Sequence, residues 1–282
     1  MAVKIVVDSS SDISEKEAKE LGVSMIPMIV SFGEEDFFDG VDLLPDEFYK
    51  KLQESKDAPK TAQVTPFRFE ELFEKETKNG DEVVAIVLSS KLSGTYEAAR
   101  NAASKFDGKV FVVDSLNATS GEGVLVHYAL ELAKQGLSAR EIYEKLEEKK
   151  NDIVVVAVID TLEYLKKGGR ISSAAAFIGG VLNIKPIIQV IGGEVKVVAK
   201  AHGQKKGILT VKQIAREVGG IDLSMPHRVI WAGNDETIAD KFIEGNPEIW
   251  GEGVKPLSHV IASTIGTHVG PGALGLVFFK KN

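Results

Sequence analysis

The chain has 282 residues, of which 44% are hydrophobic and 27% charged, with a formal net charge of −7 and no cysteine. That length and balance describe a globular protein of one large or two modest domains with a sizeable core. They exclude a disulfide framework, a thiolate nucleophile and a thiolate metal site, and they argue against broad nucleic-acid binding as the main role.

The first residues, Met1-Ala2-Val3-Lys4-Ile5, enter a strand at once without a signal-peptide pattern. No apolar run approaches the roughly 18 residues of a membrane span, so a soluble, cytoplasmic protein is expected. Residues 4–7 read as a buried strand that stops at Asp8-Ser9-Ser10-Ser11-Asp12. Ser14 and Glu17 have the spacing of a capping box for a helix ending near Gly22. Residues 23–32 form an apolar run that predicts one strand, with Pro27 marking an edge or an irregularity. A turn and short return strand follow over 34–40, then a helix from Pro45 to about Glu54, a loop over 55–65, and a helix opened by Thr65 and Pro66. Residues 83–88 and 110–113 are two more buried strands, the latter ending in Asp114-Ser115. Strands alternating with helices predict a parallel sheet, whose ligands bind beyond the carboxyl ends of the strands, where these serines and aspartates collect.

A helix is predicted from about Gly123 to Gln135, and Ser138 with Glu141 form a second capping box. Residues 153–159 are a fourth buried strand, and the composition changes near 160, where a domain boundary is placed: 1–160 as an N-terminal α/β domain and 161–282 as a C-terminal α+β domain. In the second part a short helix spans 162–167, and a small-residue helix opens at Ser172 or Ser173. Two strands flank a Gly192-Gly193 hairpin turn, and a helix follows over 204–218. Strands are predicted over 228–232, 257–262 and 274–279, with Asn234 capping a helix.

The stretch from Leu88 to Tyr96 organises the rest. It lies where a strand hands over to a helix, so unpaired N–H groups and the positive end of a helix dipole favour an anion there. Ser93 reads as the N-cap, and Gly94 offers backbone that a ligand can approach closely. The same serine also reads as a simple cap with solvated neighbours. Paired with His268, and with Asp8 or Asp114 as orienter, Ser93 gives a second reading, a serine-dependent acyl hydrolase, although the Gly-x-Ser-x-Gly elbow is absent. The glycines of Gly270-Pro271-Gly272-Ala273-Leu274-Gly275 are followed by a strand, not a helix, which rejects a dinucleotide site. The five histidines lack metal-ligand spacing. Lys166, Lys167 and Arg170 form a basic turn, either a solvated face or a docking surface for an acidic partner.

Taken together and in order, several stretches resemble the DegV family of fatty-acid-binding proteins over essentially the whole chain. They are Val7-Asp8-Ser9-Ser10-Ser11-Asp12, Lys60-Thr61-Ala62-Gln63, the stretch from Leu88 to Tyr96, Leu162-Glu163-Tyr164-Leu165-Lys166-Lys167-Gly168-Gly169-Arg170-Ile171-Ser172, Asn183-Ile184-Lys185-Pro186, and Gly266-Thr267-His268-Val269-Gly270-Pro271-Gly272-Ala273. The resemblance implies a two-domain α/β protein with a long-chain fatty acid between the domains and no cofactor. It assigns the carboxylate to Thr61 and Ser93, a backbone N–H to Gly94, and a supporting polar role to His268. The tail needs an apolar tunnel, for which Phe177, Ile178, Ile187 and Ile188 are candidates. It further implies a non-catalytic, acyl-carrying subunit of a fatty acid kinase. A separate ATP-dependent subunit then makes the acyl phosphate for phospholipid synthesis, and an acyltransferase is a further candidate partner. Lys166, Lys167 and Arg170 are the implied kinase-docking residues, with an inward role for Arg170, braced by Asp8 or Asp39, as the competing reading. Two departures stand out: Ala62 where the family often has serine, and Lys200-Ala201-His202-Gly203-Gln204 without the arginines many members carry, which bears on the kinase contact.

Overall fold

The computed structural model describes residues 2–171, 183–250 and 256–281. β1 (Val3–Asp8) leads to α1 (Glu15–Leu21), where Ser14 Oγ accepts from the Glu17 N–H at 3.2 Å. β2 (Ser24–Ile26), β3 (Ile29–Phe32), β4 (Glu35–Phe38), α2 (Pro45–Glu54), β5 (Lys60–Ala62) and α3 (Pro66–Thr77) follow. Next come β6 (Glu82–Val87), α4 (Thr95–Ala103), β7 (Val110–Asp114), α5 (Ser120–Lys134) and α6 (Ala139–Lys149), the last with the reciprocal Ser138–Glu141 capping box. The chain continues through β8 (Ile153–Val158), α7 (Glu163–Lys167), β9 (Ile184–Ile191), β10 (Glu194–His202) and α8 (Gln204–Glu217). It closes with β11 (His227–Trp231), α9 (Thr237–Glu244), α10 (Pro247–Trp250), β12 (Leu257–Val260), α11 (Ser263–Val269) and β13 (Leu274–Phe279). The helix expected over 172–182, with Phe177 and Ile178, lies outside the described residues.

The first sheet has the order β2-β1-β6-β7 and is parallel throughout. The second, β10-β9-β8-β13-β11-β12, is antiparallel except for β11 with β12. A mainly parallel N-terminal sheet flanked by helices, followed by a mixed C-terminal sheet, is the expected architecture. Three local expectations are corrected. The single strand over 23–32 is two, because Pro27 lacks the N–H a ladder needs and the chain changes sheets there. β2 joins β1, whereas β3 pairs with β4 and β5 in a small antiparallel sheet. The loop expected over 55–65 therefore contains a strand. Finally, Asn234 does not cap α9: Glu236 is its N-cap, and Asp235 Oδ1, one residue ahead, accepts from the Thr237 N–H at 3.1 Å.

Residues 153–159, expected to close the first half before a boundary near 160, pair instead with β9 and β13. The change of sheet thus falls between β7 and β8. An all-apolar strand such as Ile-Val-Val-Val-Ala-Val is covered on both faces wherever it lies, so its composition does not say which sheet owns it. Its alternation shows the two layers. Val154, Val156 and Val158 pack with Ile187, Val211 and Phe242 against α8 and α9, while Val155 and Ala157 join the larger core shared with the first half. A polar joint accompanies this apolar one. Arg228, buried on β11, donates to His259 Nδ1 at 2.8 Å and to His127 Nε2 on α5, and lies 3.5 Å from Glu17 Oε1 on α1.

Candidate functional site

Thr61 sits in the middle of β5, opposite Val30 of β3, with its hydroxyl turned to the second half of the chain. There its Oγ1 lies 2.9 Å from His268 Nε2 on the last turn of α11, a contact spanning 207 residues. α11 is held from the first half. Asp39 Oδ1 accepts from the Ser263 N–H at 3.0 Å and Oδ2 from the Thr264 N–H at 3.1 Å, while Asp12 Oδ1 accepts from the Ala262 N–H at 3.0 Å. Carboxylates at a helix N-terminus satisfy its free donors and its dipole. Burial nonetheless pushes the Asp39 carboxyl up to about 6.

Ser93 and Gly94 lie in the β6–α4 loop, whose shape is set by three braces. Asp8 Oδ2 accepts from the Leu88 N–H at 2.8 Å, Asp114 Oδ1 from the Ser90 N–H at 3.1 Å, and Ser89 Oγ donates to Gly193 O at 2.8 Å. The hairpin turn at Gly193, with φ +86°, comes so close that a Cβ there would meet Ser89 Oγ at 2.5 Å. Gly94, not Ser93, is the N-cap of α4. Ser93 stands one residue ahead, its Oγ accepting from the Thr95 N–H at 3.2 Å and lying 2.9 Å from Thr95 Oγ1.

Thr61, Ser93, Gly94 and His268 all border one cavity of about 210 Å³ between the two halves. Most of the remaining wall is apolar: Met28, Leu88, Leu92, Leu165, Ile265 and Val269 among them. Gln63 and Arg170 also reach it. Arg170 is not braced by Asp8 or Asp39. Its Nε donates to Leu92 O at 3.2 Å and its Nη1 to Gly168 O at 2.5 Å, so the guanidinium forms part of the cavity wall, while Lys166 and Lys167 are exposed. Ile187 and Ile188 do not line the cavity. Strand alternation turns Ile187 toward Val158 and Val211 behind the second sheet, and Ile188 enters the shared core.

His268 is pressed by the second half as well. Gly168 abuts its ring so closely that any Cβ there would overlap Nδ1, a buried atom with no hydrogen-bond partner among the described residues. Burial, helped by the charge of Arg170, holds the imidazole down to about 4, so it is neutral at pH 7. A neutral ring beside two hydroxyls and a helix start can hydrogen-bond a carboxylate without a competing charge. The hydrolase arrangement is not assembled: His268 Nε2 is paired with Thr61, Ser93 Oγ with Thr95, and Asp8 and Asp114 with backbone N–H groups. The sequence reading missed Gln63, Leu92 and the α11 walls. The one available signal was the polar Gln63, two residues past Thr61 and just beyond the end of β5.

The sequence profile described as "Uncharacterised protein, DegV family" matches residues 2–281. A DegV domain-containing protein of Caldanaerobacter subterraneus subsp. tengcongensis is 37% identical over 280 residues, covering 99% of each chain. Among solved structures, a DegV family protein from Thermus thermophilus, described for its fatty acid binding, superposes with a TM-score of 0.88 at 30% identity over 100% of both chains. DegV from Bacillus subtilis, described as a fatty acid binding protein, gives 0.86 at 33% identity, again over 100% of both. A stearic acid-binding protein from Eubacterium ventriosum gives 0.86 at 27% identity over 98% of this chain and 97% of its own.

Proposed function

The chain belongs to the DegV family, and on that premise we propose that it binds a long-chain fatty acid and carries it to a separate enzyme. The carboxyl group is held by Thr61 and Ser93, with the Gly94 N–H and His268 in support, and the acyl tail lies along the apolar wall. One observation carries this reading: Thr61, Ser93, Gly94 and His268, drawn from both halves of the chain, border one cavity whose remaining wall is largely apolar. The likeness to the Thermus and Bacillus proteins supports it. A tail of about 16 carbons at roughly 0.8 kcal/mol per buried methylene gains more than ten kcal/mol gross. Ordering of the tail and desolvation of the head group offset much of that.

The enzyme served is an ATP-dependent kinase subunit that phosphorylates the bound acid, with an acyltransferase using the product for phospholipid synthesis. The carrier needs no cofactor for this and works in the cytoplasm. No helix among the described residues is long and apolar enough to cross a membrane. The exposed Lys166 and Lys167 supply a charged docking face, whereas Arg170 serves the cavity wall. Native mass spectrometry of protein purified without added ligand tests the reading. A stoichiometric long-chain fatty acid is expected, and Thr61→Ala and Ser93→Ala should each bind about tenfold or more weakly, since one hydrogen bond lost in a closed site costs ~1–3 kcal/mol. Protein that neither carries nor binds fatty acids, or unchanged affinity in both variants, would overturn it.

A further inference from the structure

The turn after β1 gathers buried carboxyl groups around one serine. Ser10 Oγ lies 2.6 Å from Asp8 Oδ1 and 2.9 Å from Glu122 Oε2, on the first turn of α5, and all three residues are buried. Both distances are those of full hydrogen bonds, yet a serine hydroxyl carries one proton. The second proton must come from one of the acids. Asp8 does not supply it. Its Oδ1 also accepts from the Ser10 N–H at 2.9 Å and its Oδ2 from the Leu88 N–H at 2.8 Å, so both oxygens are engaged as acceptors. Among the described residues Glu122 Oε2 meets only Ser10, and Oε1 has no hydrogen-bond partner. The Glu122 carboxyl therefore donates to Ser10 Oγ, and the Ser10 hydroxyl donates to Asp8.

The charged groups facing Glu122 are Asp8 of β1 and Asp12 of the turn, and both disfavour a further negative charge. Asp12 has His259 and Arg228 beside it, whereas no cation among the described residues is paired with Glu122. Of the other elements against α5, β8 and β13 carry no ionisable residue, and the buried positions of α6 are apolar. β6 has only Glu82, at the end away from Asp8, and β11 brings His227 and Arg228, the latter engaged by His127, His259 and Glu17. Burial, and then the Asp8 charge, push the Glu122 carboxyl well above its usual range, outweighing the helix start. Asp8 in turn grips Leu88, a cavity wall residue where the loop to Ser93 begins, and Ser9 Oγ accepts from the N–H of Met28, another wall residue, at 3.0 Å. We propose that Glu122 holds a proton in the folded protein and that this proton latches the loop bearing Ser93. With it, Ser10 serves Asp8 and Asp8 holds Leu88. Its release to solvent at alkaline pH leaves two carboxylates competing for one hydroxyl, and their repulsion loosens the turn and the loop. The proton and the loop belong to this chain alone; the effect on ligand rests on the reading of the cavity as a fatty acid site.

Infrared difference spectroscopy of wild type against Glu122→Gln at pH 7 should show the carbonyl band of one protonated carboxylic acid, and the band should fade as pH rises. From pH 7 to about pH 9.5, wild-type hexadecanoate affinity in titration calorimetry should fall about tenfold, and exchange of the Leu88 amide hydrogen should accelerate about tenfold relative to Glu122→Gln at the same pH. Asp39 and His268, at about 6 and about 4, have largely titrated by pH 7 and do not shape this range. Glu122→Gln mimics the protonated acid and cannot ionise, so its affinity should change by less than about twofold over the same range. Glu122→Met, of similar length and uncharged, should be equally flat and stands in if the amide variant does not fold. Absence of the band at pH 7 would overturn the proton. A band at pH 7 combined with one affinity profile and one Leu88 exchange profile shared by wild type and variants would overturn the latch. Wild type that binds no hexadecanoate at any pH would overturn the fatty acid reading instead, and Leu88 exchange would still decide the latch.

Discussion

Replacing Asp39 by asparagine should change how stability varies with pH. Asp39 is fully buried and accepts two backbone N–H groups at the start of α11, one on each oxygen. Burial outweighs those bonds and raises its carboxyl from 3.8 in the reference state to about 6. For a group raised in the folded state, the associated stability is fully present below the unfolded value and is lost as pH rises through the folded one. At ~1.36 kcal/mol per unit, a rise of about two units makes the ionised form at pH 7 cost about 3 kcal/mol relative to the protonated form. The amide introduced by Asp39→Asn does not titrate, but it turns an NH₂ donor toward one of the two N–H groups, a fixed penalty of about 1–3 kcal/mol at every pH. Other buried acids titrate in both proteins, so the difference between the two urea-unfolding curves isolates this residue. With Trp231 and Trp250 fluorescence as the signal, that difference should move in favour of the variant by about 3 kcal/mol between pH 4 and pH 7. A difference independent of pH would refute the reasoning. One that moved toward the wild type would show that the helix N-terminus outweighs the cost of burial.

Gly168→Ala puts a methyl group into the His268 ring, so the ring must leave Thr61, and fatty acid affinity should fall about tenfold with little change in far-ultraviolet dichroism; unchanged affinity would show that the ring is not part of the site. Arg170→Ala removes part of the cavity wall and should weaken fatty acid binding in calorimetry, whereas normal affinity combined with slow acyl phosphate formation would return Arg170 to a docking role. His127, held down to about 4 by burial and by Arg228, contributes stability that is present above its ordinary value near 6.5 and lost as pH falls through about 4. His127→Gln keeps an acceptor for Arg228 and should make unfolding less acid-sensitive in that range, and identical acid titrations of the two proteins would count against this. Gly193→Ala forces a Cβ against Ser89 Oγ at a positive φ, and should lower the melting midpoint by an amount corresponding to about 1–3 kcal/mol; an unchanged midpoint would mean the hairpin does not brace the loop.

The strands with continuous apolar runs, β1, β6, β7 and β8, were legible because β-branched composition is a local property. β5 was not, since Lys-Thr-Ala has no alternation to read and is a strand only because β3 lies beside it. α11 was missed for a related reason. Ser-Thr-Ile-Gly-Thr-His-Val is poor in helix formers, and its start is fixed by Asp39 and Asp12, more than two hundred residues away. The polar ends of β1 and β7 were read as the edge of a site. In the structure Asp8 and Asp114 instead shape the loop that presents Ser93, accepting from its backbone, and the site itself draws on Thr61 and His268. Ser93 was placed one position too far into the helix because a serine followed by Gly-Thr reads as a cap, whereas Gly94 takes that position.

β13 has a consequence for the order of assembly. It lies between β8 and β11 in the second sheet, and among the described strands it is the last in the chain. Until it inserts, that sheet exists only as two separate ribbons, β10-β9-β8 and β11-β12. The segment just before it carries His268, and the bond from Asp12 to Ala262 spans 250 residues. Pairings so distant in sequence close late and slowly, because the chain loses the entropy of a long loop before any contact compensates. The proposed carboxyl site is therefore one of the last features to appear during folding. A ribosome-bound chain stalled before Leu274 should present Thr61 and Ser93 on a finished first sheet yet retain no fatty acid, and ligand capture would mark completion of the fold.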